Sequence, residues 1–339
     1  MIDNAQLEKI FAYYKINVSV AGSSENLFYS VYDLIPGENV TISKIKRILP
    51  DIQTWVKGSC VLDIENGIKL KIEHEKRPLL YSYDFTKEIS EDARPEVLPL
   101  IIGEDEAGKR IFYDLVKMPH LLIGGSTGSG KSVFIHNCIL SLMYGGRSSI
   151  ILVDIKRVEF SLYENIPQLA NSICYEVSET INMLKNLCFT MDNRYKLLKD
   201  NACRNIEEYQ KNGGKMQYIT LFIDELADLV IQNPKIEYYL IRLAQLGRAA
   251  GIHLVLATQR PDSTIISGLI RANIPSRICF SVQKATDSRI ILDQSGGEKL
   301  RGGGDGLFIP IGSKKAIHFQ APFTSTSAIK QITGIARKA

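Results

Sequence analysis

The sequence predicts an α/β protein: a parallel sheet covered by helices, preceded by a small α/β subdomain. Two patterns predict it. After about residue 97, near-continuous apolar runs of strand length alternate with helical segments, as in a parallel sheet buried on both faces. Before that point the segments are shorter, and two of them flank Asn66-Gly67, a strong two-residue hairpin signal. The size agrees: 339 residues make about two domains. With 45% hydrophobic and 23% charged residues, the chain can bury a sizeable core, which excludes wholesale disorder.

Taken in order, Gln6–Tyr14 has helical spacing, Ile16–Val20 and Leu27–Leu34 read as strands, and Pro36-Gly37 reads as a turn. Ile42–Ile52 returns to helical spacing, with Pro50 expected to disturb its end. Ser59–Ile64 and Ile68–His74 are the arms of the expected hairpin. Polar Lys87–Pro95 is the expected linker, which sets a subdomain over 1–90 and a larger domain over 91–339. In the larger domain the expected strands are Leu121–Ile123, Ile150–Val153, Ile219–Ile223, His253–Ala257 and Arg277–Val282. There is no internal repeat, heptad run or low-complexity tract.

Composition narrows the setting. No stretch approaches eighteen consecutive apolar residues, so no membrane segment is expected. The N-terminus lacks the basic-then-apolar layout of a signal peptide. The cysteines at 60, 138, 174, 188, 203 and 279 form no CxxC pair and no zinc-like spacing. Free thiols in a reducing cytoplasm are the expectation. Charge is uneven along the chain. Residues 1–100 carry 12 Lys/Arg against 15 Asp/Glu, whereas residues 256–339 carry 12 against five, a net of +7. A local basic excess suits a polyanionic partner, although a solvated surface of uneven composition gives the same count.

The strongest motif is Gly125-Ser126-Thr127-Gly128-Ser129-Gly130-Lys131-Ser132, which fits GxxxxGK[ST]. It follows an apolar strand and opens the helical run Val133–Leu142, the context a phosphate loop requires. Its glycines let backbone N–H groups close around phosphate oxygens at a positive helix terminus. Lys131 is expected to reach the β/γ phosphates of ATP, and Ser132 to complete a Mg²⁺ shell. Ile219–Ile223 then ends in Asp224-Glu225. There Asp224 is the expected Mg²⁺ holder through water, and Glu225 the group that polarises the attacking water. Acids at a strand–helix junction also arise because a helix N-terminus favours them. His253–Ala257 runs into Thr258-Gln259-Arg260-Pro261. Gln259 has the reach to touch the γ-phosphate or its water, the alternative being a turn role before Pro261. Hydrolysis also needs positive charge at the γ-phosphate. Arg242, Arg248, Arg271 and Arg277 are the candidates for an arginine supplied to a neighbouring subunit.

These residues resemble the FtsK/SpoIIIE DNA translocases. The resemblance is carried by Met118-Pro119-His120-Leu121-Leu122 entering the phosphate loop, by Ile223-Asp224-Glu225-Leu226-Ala227-Asp228-Leu229, and by Arg242-Leu243-Ala244-Gln245. It continues through Arg248-Ala249-Ala250-Gly251-Ile252-His253 to Gln259-Arg260-Pro261, then Gly268–Pro275, Asp287-Ser288-Arg289, Asp293-Gln294 and Gly304-Asp305. It covers about residues 98–325, and residues 1–90 are more loosely similar to the small subdomain that precedes the motor in that family. The resemblance implies a RecA-like P-loop ATPase, assembled as a homo-hexameric ring around double-stranded DNA and cytoplasmic. It selects Arg248 as the arginine finger and Arg260 and Arg289 as DNA contacts. Lys284 is a weaker match, because the family's lysine falls on Ala285. Members of the family that act in cell division carry an N-terminal membrane region and a C-terminal winged-helix module, and neither is seen in this chain. An excised motor or a short member such as mobile elements carry is therefore expected. An ATPase for conjugative or plasmid DNA transfer, a related protein-export ATPase and a slowly hydrolysing nucleotide switch are the alternatives.

Overall fold

Asp3 opens the first helix, α1 (Asn4–Tyr13), by accepting the Gln6 N–H at 2.6 Å while the Gln6 side chain accepts the Asp3 N–H, a reciprocal capping box. In this computed structural model residues 2–75, 79–90 and 96–336 are described. Strands β1 (Val18–Glu25) and β2 (Tyr29–Pro36) pair antiparallel. The single helix expected over 42–52 is two helices, α2 (Ile42–Arg47) and α3 (Leu49–Val56). Pro50 lies in the first turn of α3, where its missing N–H has no intrahelical partner to lose. Strands β3 (Cys60–Asp63) and β4 (Ile68–Glu73) form the hairpin about Gly67, whose φ of 93° is one that glycine adopts without cost. The four strands make an antiparallel sheet in the order β1-β2-β4-β3, and Leu7, Phe11, Tyr32, Ile45, Ile52 and Leu70 form its core.

The chain divides into two units, Met1–Leu79 with Asp105–Lys109, and Leu80–Glu104 with Arg110–Ala339. The division falls near residue 80 and not at 90, and the cause is helix α4 (Ser82–Ser90). Its Phe85 and Ile89 are buried with Ile101 and Phe112 of the second unit. The expected linker Lys87–Pro95 thus begins inside α4, and its residues 91–95 lie outside the described residues.

The second unit is built on a nine-stranded sheet. Its strands are β5 (Pro99–Asp105), β6 (Arg110–Asp114), β7 (His120–Gly124), β8 (Ser148–Val153), β9 (Tyr218–Ile223), β10 (Ile252–Thr258), β11 (Ser276–Phe280), β12 (Asp305–Ile309) and β13 (Ile317–Gln320). The order is β6-β5-β13-β12-β11-β7-β10-β9-β8. The stretch β11-β7-β10-β9-β8 is parallel, and β12 joins β11 antiparallel. The five strands expected from the sequence are these five parallel ones. The antiparallel flank of β5, β6, β12 and β13 was not expected.

Alternate residues of each parallel strand enter different cores. Leu121 and Ile123 of β7 lie in one apolar cluster and Leu122 in the other. Val255 and Ala257 of β10 divide in the same way from Leu254 and Leu256. Both faces are therefore covered, by helices α5 (Lys131–Gly145), α6 (Val177–Asp200), α7 (Ile206–Lys211), α8 (Leu226–Gln232), α9 (Lys235–Leu246), α10 (Gly268–Asn273), α11 (Ala285–Leu292) and α12 (Thr326–Ala336). All six cysteines are free and buried. Among the described residues no helix is long and apolar enough to cross a membrane.

Candidate active site

In a parallel sheet the C-terminal strand ends share one edge, and ligands bind there. The motifs singled out in the sequence follow β7, β9 and β10, which are neighbours in the order β9-β10-β7. Sequence-distant loops therefore converge without any long excursion of the chain.

The phosphate loop leaves β7 and enters α5 at Lys131. Gly128 and Gly130 have φ of 77° and 104°, a region closed to most side chains. At Gly130 space is also decisive, because an added Cβ would lie 2.4 Å from the Gly304 nitrogen. The loop is braced from behind by a glycine turn: the Gly304 N–H donates to the Ser129 carbonyl at 2.9 Å, and Gly303 N–H to the Gly128 carbonyl at 3.3 Å. On its other side Ser126 donates from both its N–H and its hydroxyl to the Ser281 carbonyl beyond β11. The loop is thus held open as a cradle.

Lys131 is 3% exposed, and its ammonium donates to the Asp224 carbonyl and carboxylate, both at 2.9 Å. Burial raises the Asp224 carboxyl above its ordinary range, and Lys131 opposes that rise. Glu225 is buried beside it. Its carboxylate accepts the Thr258 hydroxyl at 2.7 Å and the Gln259 N–H at 3.1 Å, and Lys156 lies 3.5 Å away. The Gln259 side-chain carbonyl accepts the Thr127 hydroxyl at 2.9 Å. Lys131, Asp224, Glu225 and Gln259 thus form one connected site with the phosphate loop. The donors suit a nucleotide and a hard cation. A hydroxyl (Ser132) and a carboxylate (Asp224) are oxygen ligands, and the Ser129 hydroxyl is buried with no partner among the described residues.

Arg248 stands apart. It precedes β10 by four residues, whereas Gln259 follows it, and seven strand residues span about 23 Å. It is exposed at the edge of the sheet opposite its own phosphate loop. The other arginine candidates are engaged within the chain: Arg242 with Asp192 at 2.9 Å, Arg271 with Asp293 at 3.3 Å, and Arg277 also with Asp293. Arg248 alone of the four has no ion pair among the described residues. Arg260 is exposed and lines a cavity of about 540 Å³ with Ser126, Thr127, Gln259, Gln283 and Asp287. Lys284 and Arg289 are exposed at the start of α11 and on it, outside that lining.

The sequence reading missed Thr258 as the holder of Glu225, Lys156 as its cationic neighbour, the glycine turn at 302–304 as the brace, and Glu159. Lys156 and Glu159 follow β8, and a charged run at the end of an apolar parallel strand was the available signal.

The FtsK/SpoIIIE family model matches residues 85–263, just over half of the chain. A DNA translocase FtsK of Campylobacter jejuni is 36% identical over 347 residues, covering 96% of this chain and 36% of its own length. A DNA translocase FtsK of Caldanaerobacter subterraneus is also 36% identical, covering 98% of this chain and 48% of its own length. The chain therefore spans between about a third and a half of these curated relatives. Among solved structures, the pCW3 conjugation coupling protein TcpA in its monomer form with ATPγS superposes with a TM-score of 0.73 at 27% identity, covering 99% of this chain and 98% of that one. The cytoplasmic domain of the type VII secretion ATPase EccC of Thermomonospora curvata has a TM-score of 0.64 at 23% identity, covering 72% of this chain and 32% of that one, a likeness of fold alone.

Proposed function

The chain belongs to the FtsK/SpoIIIE family, and from that premise we propose that it is a cytoplasmic ATPase that moves double-stranded DNA as a homo-hexameric ring. Met1–Leu79 is read as the counterpart of the small subdomain preceding the motor. The observation that carries the hydrolytic reading is the joined set Lys131–Asp224 and Glu225–Thr258–Gln259 around the phosphate loop.

In this reading the N–H groups of Gly128–Ser132 receive the phosphates. An ammonium has three donors; Lys131 commits two to Asp224 and keeps one for phosphate oxygen. Ser132 and Asp224 would hold Mg²⁺, whose role when bound is to neutralise charge on the β- and γ-oxygens. Glu225 accepts the proton of the attacking water. Its carboxylate is kept from rotating by donors from Thr258 and the Gln259 backbone. Gln259 ties that carboxylate to the loop through Thr127, so movement at the γ-phosphate is passed to β10 and to Arg260 beyond it. Arg248 is about a strand length from its own site and is assigned to a neighbour's, which makes a ring necessary for full activity. Arg260, Arg289 and, more weakly, Lys284 are assigned to the DNA phosphates. Such contacts are indifferent to sequence.

A second reading, an ATPase for plasmid DNA transfer, is favoured by the likeness to the conjugation coupling protein over nearly the full length of both chains. The test is the steady-state ATPase rate with and without long double-stranded DNA across a salt series. Stimulation that fades with salt is expected. An active enzyme indifferent to DNA would overturn translocation, and stimulation by a secreted polypeptide would replace it with protein export.

A further inference from the structure

We propose that Arg194 and Tyr195 of α6 are positioning residues for Arg248, holding rigid the turn that presents its guanidinium to a neighbouring subunit's nucleotide; this rests on the assignment of Arg248 made above. The turn is Leu246–Gly251, between α9 and β10. A helix ends in carbonyls that have no intrahelical partner, and here six carbonyls in succession find one. The Leu246 carbonyl accepts the Tyr195 hydroxyl at 2.7 Å, and the Ala250 carbonyl accepts Arg194 Nη1 at 2.7 Å. The other four accept backbone N–H groups: Gly247 from Ile252 at 2.9 Å, Arg248 from Gly251 at 3.1 Å, Ala249 from Ile206 at 2.9 Å and Gly251 from Ile219 at 2.9 Å.

The two side-chain donors are neighbours on one helix, and they grip the turn at both ends. The Arg194 guanidinium is a fork with donors to spare. Its Nη2 donates to the Gln217 carbonyl at 2.8 Å, immediately before β9. One side chain thereby locks the turn to the start of a core strand. Two residues earlier on α6, Asp192 binds Arg242 at 2.9 Å, which ties the helix leading into the turn to the same support.

Two features separate this arrangement from ordinary satisfaction of the backbone. The bonds from Tyr195 to Leu246 and from Arg194 to Gln217 lie at exposed positions, where water would serve the carbonyls equally well. Arg194 is also half-buried with no ion pair among the described residues, and burial lowers it to about 10, so its charge is held there against desolvation. What these bonds add is fixed geometry. Arg248 is exposed and has no ion pair of its own among the described residues. A side chain without a tether is placed only through its backbone. An arginine supplied to a neighbour's site is worth about 10³- to 10⁵-fold in turnover, and misplacing a catalytic group by about 1 Å costs about 100-fold.

The test measures steady-state ATP turnover of the full chain with long double-stranded DNA, beside binding of a non-hydrolysable ATP analogue, and it uses mixtures of chains. Arg194→Lys keeps the charge and loses the fork. It should lower turnover about 10-fold or more at unchanged analogue affinity, because its own phosphate loop is a strand length away. The decisive partner is Lys131→Ala, which has no working site of its own but an intact Arg248 turn. Mixed one to one with it, each Arg194→Lys chain should recover about half of the unaltered turnover, since about half of its neighbours in a head-to-tail ring then supply a correctly held arginine. No loss in Arg194→Lys, or a loss that the mixture does not restore, would assign Arg194 to structure alone and overturn the proposal. Arg248→Ala mixed with Lys131→Ala is the control. Failure of that pair to recover would overturn the assignment of Arg248 itself, a result distinct from failure of Arg194→Lys alone. If Arg194→Lys does not fold, Tyr195→Phe, which removes one hydroxyl, decides in the same mixture. A loss of about threefold that Lys131→Ala restores is expected, and no loss overturns the proposal.

Discussion

Lowering the pH from 7.5 to 5.0 should cost the second unit about 4 kcal/mol of stability, and the cost should come from two histidines. His120 on β7 and His253 on β10 have ring centroids 6.4 Å apart, and both are fully enclosed. Burial lowers His120 to about 3, with His253 and Arg248 acting in the same direction. Burial likewise lowers His253 to about 4; Arg248 and Arg194 add to that, while Asp114 opposes it. The neutral ring is required at His120, whose Nδ1 accepts the Leu254 N–H at 3.1 Å, whereas the bond that His253 Nδ1 donates to the Pro119 carbonyl at 2.9 Å favours protonation and is outweighed by burial. A folded pKa below the unfolded value near 6.5 gives stability that is present above pH 6.5 and lost as pH falls toward the folded pKa. Between pH 7.5 and 5.0 the unfolded chain gains a proton at each histidine and the folded chain gains almost none. The linkage integral is about 2 kcal/mol per residue. With a urea slope of about 3 kcal/mol/M, the midpoint should fall by about 1.3 M. Circular dichroism is dominated by the helices of the second unit, which are more numerous and on average longer than the three of the first. The single tryptophan, Trp55, lies in the first unit and follows that unit separately. The decisive comparison is His253→Asn. Its side-chain amide can still donate to Pro119, and any cavity it leaves is independent of pH. It should remove about half of the pH-dependent loss whatever it does to stability at pH 7.5. If the variant and the unaltered chain lose stability in parallel, the assignment to the buried histidines is wrong.

Three further outcomes follow from the site. Glu225→Gln should leave nucleotide binding intact and lower turnover by at least about 100-fold, while Thr258→Val, which removes the 2.7 Å donor to Glu225, should lower it by about 10-fold at unchanged nucleotide affinity; steady-state hydrolysis beside analogue binding separates the two effects. Gly304→Ala should lower thermal stability by at least about 1–2 kcal/mol, since Gly304 has φ of 93° and an added Cβ would lie 2.8 Å from the Gln320 amide; an unchanged melting temperature would show that the brace behind the phosphate loop is dispensable.

What was legible in the sequence was whatever a short window contains. The strand before Gly125–Ser132, the strand before Asp224-Glu225 and the strand before Gln259 each carry their chemistry within a few residues of their own ends. All three could be read without knowing which strands are neighbours. The hairpin at Asn66-Gly67 was legible for the same reason. The split of residues 42–52 into two helices was not, because proline is compatible with both a helix end and a first helical turn, and only the conformation at Ile48 decides between them. Helix α4 overlaps the expected linker at Lys87–Ser90, where polar residues dominate the composition. Its two buried residues, Phe85 and Ile89, are too few to show a period.

The part of the site that stayed hidden depends on sheet order. Lys156 and Glu159 reach Glu225 and His136 only because β8 pairs with β9, and the glycine turn at 302–304 reaches the phosphate loop only because β12 pairs with β11. Neither pairing is encoded within a window. Sheet order also gives the site its mechanical character. The residues proposed for the metal, Ser132 and Asp224, and those proposed for the water, Glu225 and Gln259, hang from three adjacent strands whose registers are fixed by two buried cores. Displacing one therefore strains the others. The loop after β8 reaches Glu225 through Lys156 and meets α5 through Glu159 at His136. Loss of Lys156, which lies 3.5 Å from Glu225, should therefore lower hydrolysis while leaving Mg²⁺ binding in place, as turnover measured beside analogue titration would show.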